Sequence, residues 1–366
     1  MALMAPLEQK TATVEASRAA VRGAHWIKPK LVAEVAFIEF THEGVLRHSS
    51  YLGLREDKKP EAVVVETETP VGDLTAPAAT STVKISNRDR VIFPEGKLTK
   101  GQLAEYYEAV AEIMLPWSGS RPLSLVRCPQ GRDKKCFFQK HDAGSFGDHV
   151  HRASIRDKEG YADDYLYVDD SDGVVACVQM GGIEFHGWGS HVDAIEMPDR
   201  LVIDIDPDEG LGFADTKAAA DHVCAQLAEI GLVSFPLLSG GKGVHVVVPL
   251  TPQAEWPGVK DFADRFARAL AAAEPDRFVA VATKAKRKGR IFIDYLRNQR
   301  GSTAIMPYSA RARAGAPVSA PVSWTELRDI DTAARWTVRD ADELLKRATS
   351  RALAGWGVAD QVLPDV

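Results

Sequence analysis

Apolar and polar residues alternate along residues 23–66, where the run LVAEVAFIEFTHEGVL breaks at the turn signal HEG before continuing. Alternation with a period of two is typical of half-buried strands, so we expect a small β unit here. Residues 67–82 carry Thr, Ala, Pro and Gly without a sustained period, which predicts a linker. Residues 1–22 are poor in large apolar groups and are expected to form a flexible lead. The main domain is therefore expected at residues 83–366.

Within the main domain, Thr99 and Gln102 have the spacing of a capping box, and apolar residues follow at helical spacing. This pattern predicts an amphipathic helix over residues 99–115. Short extended runs are expected at LSLVRC, CFFQ, YLYV, VVACVQM and GIEFHGW. Further strands are predicted at 201–205, 244–250 and 291–295, and helices at 213–230 and 259–273. Helices mixed with several neighbouring strands favour an α+β (mixed α/β) fold.

The composition is that of an ordinary folded protein. The 366 residues, 45% apolar and 26% charged, exclude a collagen-like or wholly disordered chain and suggest two or three compact units. No apolar run reaches the ~18 residues of a membrane span, and the amino terminus lacks the pattern of an export signal. We therefore expect a cytoplasmic protein with no membrane partner. The four cysteines form no CxxC pair and are expected to be reduced packing residues: Cys128, Cys136, Cys177 and Cys224.

The charge is unevenly distributed. Residues 277–313 contain ten Lys or Arg against the single acid Asp294, a net charge of +9, which leaves about −15 on the rest because the whole chain carries −6. A basic block inside an acidic chain is typical of a folded surface that binds a polyanion. A solvated face of no functional significance is the alternative.

The segment LVIDIDPDEG places Asp204 and Asp206 on one face of a predicted strand, about 7 Å apart at ~3.3 Å per residue. Two neighbouring carboxylates repel unless a cation lies between them, and Mg²⁺ or Mn²⁺ suits such oxygen ligands. The structural alternative is a strand that ends in a turn, with Asp206 or Asp208 capping the next helix.

The segment SGGKGVHVVVPL combines a hydroxyl at Ser239, a cation at Lys242 and several glycines just before a strand that contains His245. Backbone amides without side chains can approach phosphate oxygens closely, so this turn is a candidate phosphate-binding loop. It lacks the spacing of a Walker loop. The alternative is a glycine-rich hairpin in which His245 is a core residue.

The segment KRKGRIFIDYLRN places Asp294 within an apolar strand, where a lone charge is costly without a metal or a partner. The structural alternative is an ion pair with Arg290 or Arg297. Together with the two segments above, it supplies three carboxylates, a phosphate-binding loop and a basic surface. These are the components of two-metal nucleotidyl transfer.

Eight segments occur in a recognisable order: ISNRDRVIFPEGKLTKGQLAEYYEAV, RPLSLVRCPQG, CFFQKH, IEFHGWGS, MPDRLVIDIDP, SGGKGVH, IFIDYLRNQRGSTAIMPYSARARAGAPVS and SWTEL. They resemble the polymerase domain of bacterial DNA ligase D, a branch of the archaeo-eukaryotic primase superfamily. The resemblance implies a primase-polymerase fold with central antiparallel or mixed sheets flanked by helices. It also implies a template-directed nucleotidyltransferase that extends primers, fills gaps in DNA and accepts ribonucleotides during non-homologous end joining.

The resemblance also implies roles for individual residues. Asp204, Asp206 and Asp294 would be catalytic ligands of two Mn²⁺ or Mg²⁺ ions, with Mn²⁺ at least as effective as Mg²⁺. The residues implied in binding a nucleoside triphosphate are Ser239, Lys242, His245, His186, Arg287 and Arg311, with His186 near the sugar. Those implied in binding DNA are Phe137, Phe138, Arg127 and Arg297. The two phenylalanines could instead be core residues.

Residues 23–66 resemble the end of the oligonucleotide-binding domain of the same family's ligase module, with Arg55, Asp57 and Lys58 of LREDK in its last motif. This unit is expected to be a remnant that forms only part of a β-barrel. Because the chain has no KxDG motif, ligase activity is not expected from it alone. The implied partners are DNA ends, gapped or primed duplex, the Ku protein and a ligase module in cis or in trans, and the implied location is the nucleoid in the cytoplasm.

Three alternatives remain open from the sequence. A strand ending in DxD also occurs in haloacid-dehalogenase-like phosphatases, although these need a later acidic pair where this chain has a lone acid. A non-catalytic module that binds DNA ends would need the basic block and not the carboxylates. A zinc site is the third, although its spacing fits no structural zinc knuckle; the candidate ligands are Cys128, Cys136, His141, His149 and His151.

Overall fold

The computed structural model describes residues 5–11, 25–36, 39–40, 46–47, 50–54, 60, 81–142, 144–157 and 160–364. The chain divides into two compact units, Met1–Ala76 and Pro77–Val366. The LREDK residues Arg55, Asp57 and Lys58, and most of the predicted linker, lie outside the described residues.

The described part of the first unit consists of a short 3-10 turn at Ala5–Leu7 and three antiparallel strand pairs. The pairs are β1 (Glu8–Gln9) with β2 (Trp26–Ile27), β3 (Ala33–Ala36) with β6 (Ser50–Leu54), and β4 (Glu39–Phe40) with β5 (Leu46–Arg47). The described residues of this unit therefore lie mainly in paired strands, as the alternating pattern predicts, and they form no closed barrel.

The second unit mixes helices and strands, which confirms the predicted α+β class. Its helices are α1 (Lys100–Ser118), α2 (Ser171–Gln179), α3 (Phe213–Glu229), α4 (Trp256–Ala273), α5 (Trp324–Asp329) and α6 (Ala341–Ala348). A short pair, β7 (Val91–Phe93) and β8 (Leu98–Thr99), precedes α1. Within the described residues, no helix has the length and apolar character needed to cross a bilayer.

The first large sheet has the order β11-β12-β9-β13-β19, and β10 also pairs with β9. Its strands are β9 (Leu123–Arg127), β10 (Phe137–Gln139), β11 (His151–Arg156), β12 (Ala162–Tyr167), β13 (Gly182–Gly187) and β19 (Ala304–Ile305). All of these pairings are antiparallel.

The second large sheet has the order β17-β18-β14-β16-β15-β20. Its strands are β14 (Arg200–Pro207), β15 (Phe235–Leu238), β16 (Val244–Pro249), β17 (Phe278–Val279), β18 (Ile291–Asp294) and β20 (Ala320–Pro321). Only β17 and β18 run parallel among these described strands. Strand β14 is central and its apolar residues Leu201, Ile203 and Ile205 are fully buried, so it carries its acidic residues on a rigid support.

Helix α1 begins where the capping box predicts. The Thr99 side chain accepts from the Gln102 amide, and the Gln102 side chain accepts in turn from the Thr99 amide. Two of the amides left unpaired by the first helical turn are thereby satisfied. Tyr107, Val110 and Met114 are fully buried on the helix face that packs into the core. The helix prediction is confirmed, although the helix ends at Ser118 rather than at residue 115.

The prediction of an extended run at VVACVQM is wrong, because these residues lie in helix α2 and the start of its C-terminal turn. The Asp170 side chain caps the helix by accepting from the Gly173 amide at 2.7 Å. Val174, Cys177 and Val178 are buried, so the helix is apolar on more than one side. A short apolar run of this kind has no period that distinguishes a buried helix from a buried strand.

The prediction of four reduced cysteines is wrong for two of them, because a disulfide joins Cys128 to Cys136. Strands β9 and β10 pair with Phe137 opposite Arg127, so the two cysteines take the next pair of facing positions in the hairpin. A search for CxxC spacing does not detect a pair that is brought together by strand register. Cys177 is a free buried thiol, as expected, and Cys224 is free and half-buried.

Candidate functional site

The three predicted carboxylates come from adjacent strands of the second sheet. Asp204 on β14 lies directly opposite Asp294 on β18 and opposite His245 on β16. Residues that face each other across antiparallel strands have Cβ atoms about 4.5–5.5 Å apart. Asp206 lies two residues further along β14 and so shares the face of Asp204. The strand register therefore brings together acids that are 90 residues apart in the sequence.

Two arginines hold these carboxylates. Arg297 donates from Nη2 to Asp204 Oδ2 at 3.2 Å, and its Nε lies 3.5 Å from Asp294 Oδ2. Arg287 donates from Nη1 to Asp206 Oδ2 at 2.7 Å. The negative charge of the row is thus balanced by guanidinium groups. The structural alternative for Asp294, an ion pair with Arg297, is present in the structure, whereas Arg290 donates to backbone carbonyl oxygens.

The environment separates the three acids by pKa. Burial would raise the pKa of Asp204, but the neighbouring His245 and Arg297 lower it to about 2. Burial and then repulsion from Asp204 raise the pKa of Asp206, against the opposing effect of Arg287. Burial raises the pKa of Asp294, which Arg297 opposes and Asp204 reinforces. Additional positive charge beside the row would stabilise the ionised form of these carboxylates against burial and mutual repulsion.

The glycine-rich turn at residues 239–243 joins β15 to β16 beside these acids. The Ser239 hydroxyl donates to the Gly243 carbonyl at 2.7 Å, and the Gly241 amide donates to the Ser239 hydroxyl at 3.3 Å. The Lys242 side chain is exposed. The turn therefore presents a cation, Lys242, at the end of the hairpin next to the Asp204 row, while the amides of Ser239, Gly240 and Gly241 are paired within the protein.

Two glycines in this turn are required by close approach. Gly240 has φ of +66°, and a Cβ there would lie 2.9 Å from the Val318 carbonyl carbon. A Cβ on Gly243 would lie 2.7 Å from the Ile205 carbonyl oxygen and 3.3 Å from Asp204 Oδ1. Because Cβ atoms do not approach other atoms within 3.0 Å, only glycine lets the turn pack against β14 without displacing it.

A polar pocket of about 230 Å³ lies between the glycine-rich turn and the carboxylates. Its lining combines predicted site residues with others: His186, Asp204, Asp206, Ser239, Gly241, Lys242, Gly243, His245, Arg297, Ile305, Arg311 and Arg313. Asp294 and Arg287 contact lining residues without being among the described residues that line it. His245 is buried, as the alternative of a core residue expects, but its Nε2 also lies 3.5 Å from Asp204 Oδ1.

Three of the four predicted DNA-binding residues lie on the β9–β10 hairpin of the first sheet, whereas Arg297 lines the pocket and contacts Asp204. Phe137 and Phe138 are 41% and 57% exposed, so the alternative that they are core residues is wrong. The Phe138 ring lies 5.3 Å from the ring of His186, at the edge of the pocket. Arg127 lies over the Phe137 ring and donates to the Met180 carbonyl at 2.7 Å. Its guanidinium is partly used by these intramolecular contacts.

The alternative that Asp206 or Asp208 caps the next helix is wrong, because Gly212 is the N-cap of α3. Asp208 instead accepts from the Gly289 amide at 2.8 Å, which ties β14 to the basic loop before β18.

The donor chemistry of the row fits a divalent cation, whereas the side-chain positions do not form a ligand set. No group of three or more His, Cys, Asp or Glu side chains in the described residues is spaced to hold a metal ion. Arg297 and Arg287 occupy the carboxylate oxygens that a cation would use, so they would have to move aside. Three carboxylates on one rigid sheet are nevertheless the oxygen ligands that Mg²⁺ and Mn²⁺ prefer. For zinc, the Cys128–Cys136 disulfide removes both candidate thiolates.

Reasoning from sequence missed two residues at the pocket: Arg313, which lines it, and Glu184, which contacts the lining residues His186 and Arg311. Glu184 is 6% exposed on β13 and binds His186 and Arg311. The signal was available, since an acid inside the apolar run of IEFHGW needs a buried partner. Arg313 belongs to the counted basic block, but nothing in its local pattern separates it from the exposed members.

The comparison with protein families decides the identity of the larger unit. A family model described as "LigD, primase-polymerase domain" matches residues 99–351, well over half of the chain. The chain belongs to the LigD primase-polymerase family. A second family model, "ATP dependent DNA ligase C terminal region", matches residues 1–58. Family membership gives the chain a polymerase- or primase-like role and counts against the phosphatase alternative.

Similar proteins support this assignment to the LigD family. The "Multifunctional non-homologous end joining protein LigD" of Pseudomonas aeruginosa is 37% identical over 329 residues, which cover 87% of this chain and 39% of that protein. The corresponding protein of Mycobacterium tuberculosis is 35% identical over 69% of this chain and 34% of its own length. The chain thus spans less than half the length of these relatives.

A solved structure, "Polymerase Domain from Mycobacterium tuberculosis Ligase D in complex with DNA", has a TM-score of 0.68 and 31% sequence identity with this chain. The match covers 74% of this chain and 97% of that domain. The similarity to the LigD polymerase domain therefore extends over nearly the whole of that solved structure.

Proposed function

We propose that the larger unit is a template-directed nucleotidyltransferase that extends primers and fills gaps in DNA. The observation that carries this proposal is the register of β14, β16 and β18, which sets Asp204, Asp294 and His245 side by side next to the glycine-rich turn. A carboxylate row beside a phosphate-sized, cation-lined pocket suits the transfer of a nucleotide from its triphosphate to a hydroxyl.

In this proposal the triphosphate binds between the turn and the arginines. Lys242, Arg311 and Arg313 line the pocket and supply positive charge and side-chain donors for phosphate oxygens. His245 and Ser239 also line this pocket. Arg287, which holds Asp206, is close enough to the row that it would contact the phosphates if its hydrogen bond to Asp206 were released. Positioning and charge neutralisation of this kind account for most of the catalysis of phosphoryl transfer.

Asp204, Asp206 and Asp294 are the proposed ligands of two Mn²⁺ or Mg²⁺ ions. When bound, such ions lower the pKa of an attacking hydroxyl and stabilise a leaving pyrophosphate. The sheet holds Asp204 and Asp294 at fixed separation, because both lie within paired strands rather than on loops. Arg297 balances the charge of Asp204 and Asp294 and would be within reach of a nucleic acid phosphate bound beside the row.

The DNA is proposed to lie along the first sheet and the basic block. The exposed rings of Phe137 and Phe138 offer stacking surfaces for unpaired bases. Arg127 and Arg297 are proposed phosphate or base contacts, and the exposed lysines of the loop before β18 add electrostatic attraction that depends on salt.

The biological setting is proposed from the family. The chain would act in non-homologous end joining, accept ribonucleotides, and work with Ku and with a ligase module in cis or in trans, in the cytoplasm at the nucleoid. Residues 23–66 would be a ligase remnant and 83–366 the primase-polymerase domain, separated by the linker at 67–82 and preceded by the lead at 1–22. The contact boundary after Ala76 supports a division within that linker.

The proposal predicts that a gapped, 5′-phosphorylated duplex is extended in the presence of a divalent metal. Asp294→Asn removes a carboxylate of the row and should lower extension by at least about 100-fold, the scale of removing one group that stabilises transition-state charge. Pyrophosphate release and primer length measure the reaction. Chelation should abolish it, and Mn²⁺ should restore it at least as well as Mg²⁺.

The exposed Asp276 provides a matched control, since Asp276→Asn changes the same charge away from the pocket and should leave extension intact. Extension that survives Asp294→Asn would contradict the assigned role. A wild-type chain that binds DNA ends but releases no pyrophosphate, with binding unchanged by Asp204→Ala and Asp206→Ala, would support the non-catalytic module instead.

A further inference from the structure

Glu184 is an acidic residue inside the most buried part of the first sheet. It lies on β13 between Ile183 and Phe185, which are 1% and 0% exposed. The pairing of β13 with β9 shifts register between Gly182 and Glu184, which marks a β-bulge. A bulge changes the direction in which a side chain points. The sequence thus places a carboxylate at great desolvation cost unless it has specific partners.

Three donors converge on this carboxylate. His186 Nε2 lies 2.7 Å from Glu184 Oε2, and Arg311 Nε donates to the same oxygen at 3.1 Å. The Ala312 amide donates to Oε1 at 2.8 Å. Arg311 also donates from Nη1 to the Ser239 carbonyl at 2.5 Å. Glu184 therefore connects a histidine at one side of the pocket to an arginine that holds the glycine-rich turn at the other.

The contacts fix the protonation of His186. Burial would raise the pKa of Glu184, but His186, Arg311 and the Ala312 amide lower it to about 2, so the group is an ionised acceptor near neutral pH. Burial lowers the pKa of His186, although Glu184 acts to raise it. The ring is therefore neutral near pH 7. A neutral ring that donates from Nε2 carries no proton on Nδ1. Among the described residues, the imidazole ring of His186 has no hydrogen-bond partner other than Glu184.

An acceptor nitrogen differs in its chemistry from the cationic side chains that line the same pocket. Lys242, Arg311 and Arg313 donate only, which suits the oxygens of a triphosphate. The hydroxyl groups of a nucleotide sugar are its complementary donors. The pocket therefore has a side suited to phosphates and, at His186, a position suited to a hydroxyl.

We propose that Glu184 is a positioning residue that holds His186 as a hydrogen-bond acceptor for a sugar hydroxyl of the nucleotide and at the same time orients Arg311 toward the glycine-rich turn. This inference rests on the proposed function and adds to it a structural source of sugar discrimination. Glu184 acts through its neighbours and does not itself touch the nucleotide.

The test uses Glu184→Gln in the full chain, with non-hydrolysable GTP and dGTP as probes and affinity measured by calorimetry. Glutamine keeps the shape but cannot accept on both arms: its amide either meets the Ala312 N–H or donates to His186 and reverses the ring's tautomer. We expect the ratio of ribonucleotide to deoxynucleotide affinity to fall about 5- to 10-fold, the scale of one lost hydrogen bond. The same substitution in a His186→Ala background should not change the ratio further.

The control is Glu326→Gln, which also removes a half-buried glutamate paired with an arginine, Arg347, but lies outside the pocket. It should leave the ratio unchanged. Two results would overturn the inference and reduce Glu184 to a structural role. One is that Glu184→Gln lowers the affinity for ribonucleotide and for deoxynucleotide equally; the other is that it lowers their ratio just as much in the His186→Ala background.

Nitrogen-15 shifts of the histidine rings provide a readout that needs no nucleotide. In the wild-type protein His186 should be neutral with its proton on Nε2, and Glu184→Gln should alter that tautomer; a proton on Nδ1 in the wild type would overturn the inference. If the wild-type chain bound ribonucleotide but never extended a primer, the proposed polymerase function would be refuted. The effect of Glu184→Gln on the ratio of affinities would still test the role of Glu184. Failure to bind either nucleotide would refute both.

Discussion

Single residues without side chains control how closely the glycine-rich turn approaches the carboxylates. Gly243 sits against β14, where an added Cβ would lie 2.7 Å from the Ile205 carbonyl oxygen. That oxygen belongs to the backbone of a central strand and cannot move aside easily. The turn and Asp204 therefore act as one rigid arrangement, and its geometry depends on the absence of one methyl group.

Gly243→Ala should destabilise the protein by about 1–3 kcal/mol, the usual cost of inserting a methyl group into a packed site. It should also weaken nucleotide binding, because relief of the clash moves the turn away from Asp204. Chemical denaturation and nucleotide affinity measure the two effects. Gly210→Ala is the control, since a Cβ there meets nothing within 4 Å. Equal stability of both variants would show that the turn is free to shift.

The β9–β10 hairpin is the element that presents Phe137 and Phe138. Strand β10 has only three residues and pairs only with β9 among the described strands. Short edge strands have few backbone hydrogen bonds to hold them. The Cys128–Cys136 disulfide closes this hairpin immediately before Phe137, and so limits the positions available to both exposed rings.

Reduction of this disulfide should lower the free energy of unfolding by about 2 kcal/mol, because a short loop then regains its entropy in the unfolded chain. Guanidinium denaturation with and without a phosphine reductant measures the difference. Cys136→Ser should have the lower stability under both conditions, and Cys224→Ser, at a free thiol, should retain the response to reductant. A wild-type protein insensitive to reductant would contradict a stabilising bond.

At the scale of the molecule, a buried ion pair ties the two large sheets together. Arg121, just before β9 in the first sheet, is 1% exposed and donates to Asp199, just before β14 in the second. His191 and Arg200 also contact Asp199. Removing one partner of such a pair leaves a buried charge without compensation. The pair therefore links the sheet that carries His186 to the sheet that carries the carboxylates.

This pair predicts acid sensitivity. Burial would raise the pKa of Asp199, but Arg200, His191 and Arg121 lower it well below its usual range. The stabilisation is complete above the unfolded-state pKa of about 3.9 and is lost as the pH falls towards the lower folded-state pKa.

Asp199→Asn should be destabilised at pH 7 by about 3–5 kcal/mol and should lose less stability than the wild type between pH 4 and pH 2. Urea denaturation at a series of pH values measures both effects. Asp276→Asn, at an exposed site, should follow the wild-type profile. Parallel profiles for wild type and Asp199→Asn would exclude this pair as a source of acid sensitivity.

Elements with strong local signals were predictable. The Thr99–Gln102 capping box and the helical spacing after it depend only on neighbours in the chain, and they predicted the start of α1 correctly. The strand around Asp204 followed from its continuous apolar run. The segment VVACVQM was predicted wrongly because burial on several sides removes the period that separates helix from strand.

The site was predictable in part. The residue types that nucleotidyl transfer requires were visible in the sequence. Asp204 and Asp294 lie inside apolar strands, and the glycine-rich turn precedes a third apolar strand. The Arg297–Asp294 ion pair, three positions apart, was among the alternatives that the sequence offered. The contact of Arg297 with Asp204 and the contact of Arg311 with Glu184 were not visible, because they join residues 93 and 127 positions apart. Strand register, which is a property of the folded sheet, creates these contacts.

The sequence by itself determined the α+β class, the capped helix, the central apolar strands and the resemblance to the LigD polymerase domain. These depend on local spacing and on ordered motifs, which survive without knowledge of the fold. Only the tertiary structure decided which carboxylates face each other, which arginines neutralise them, and which cysteines pair. The reason is physical: pairing energies between distant side chains depend on separations of a few ångströms, and those separations are fixed only when the two sheets pack.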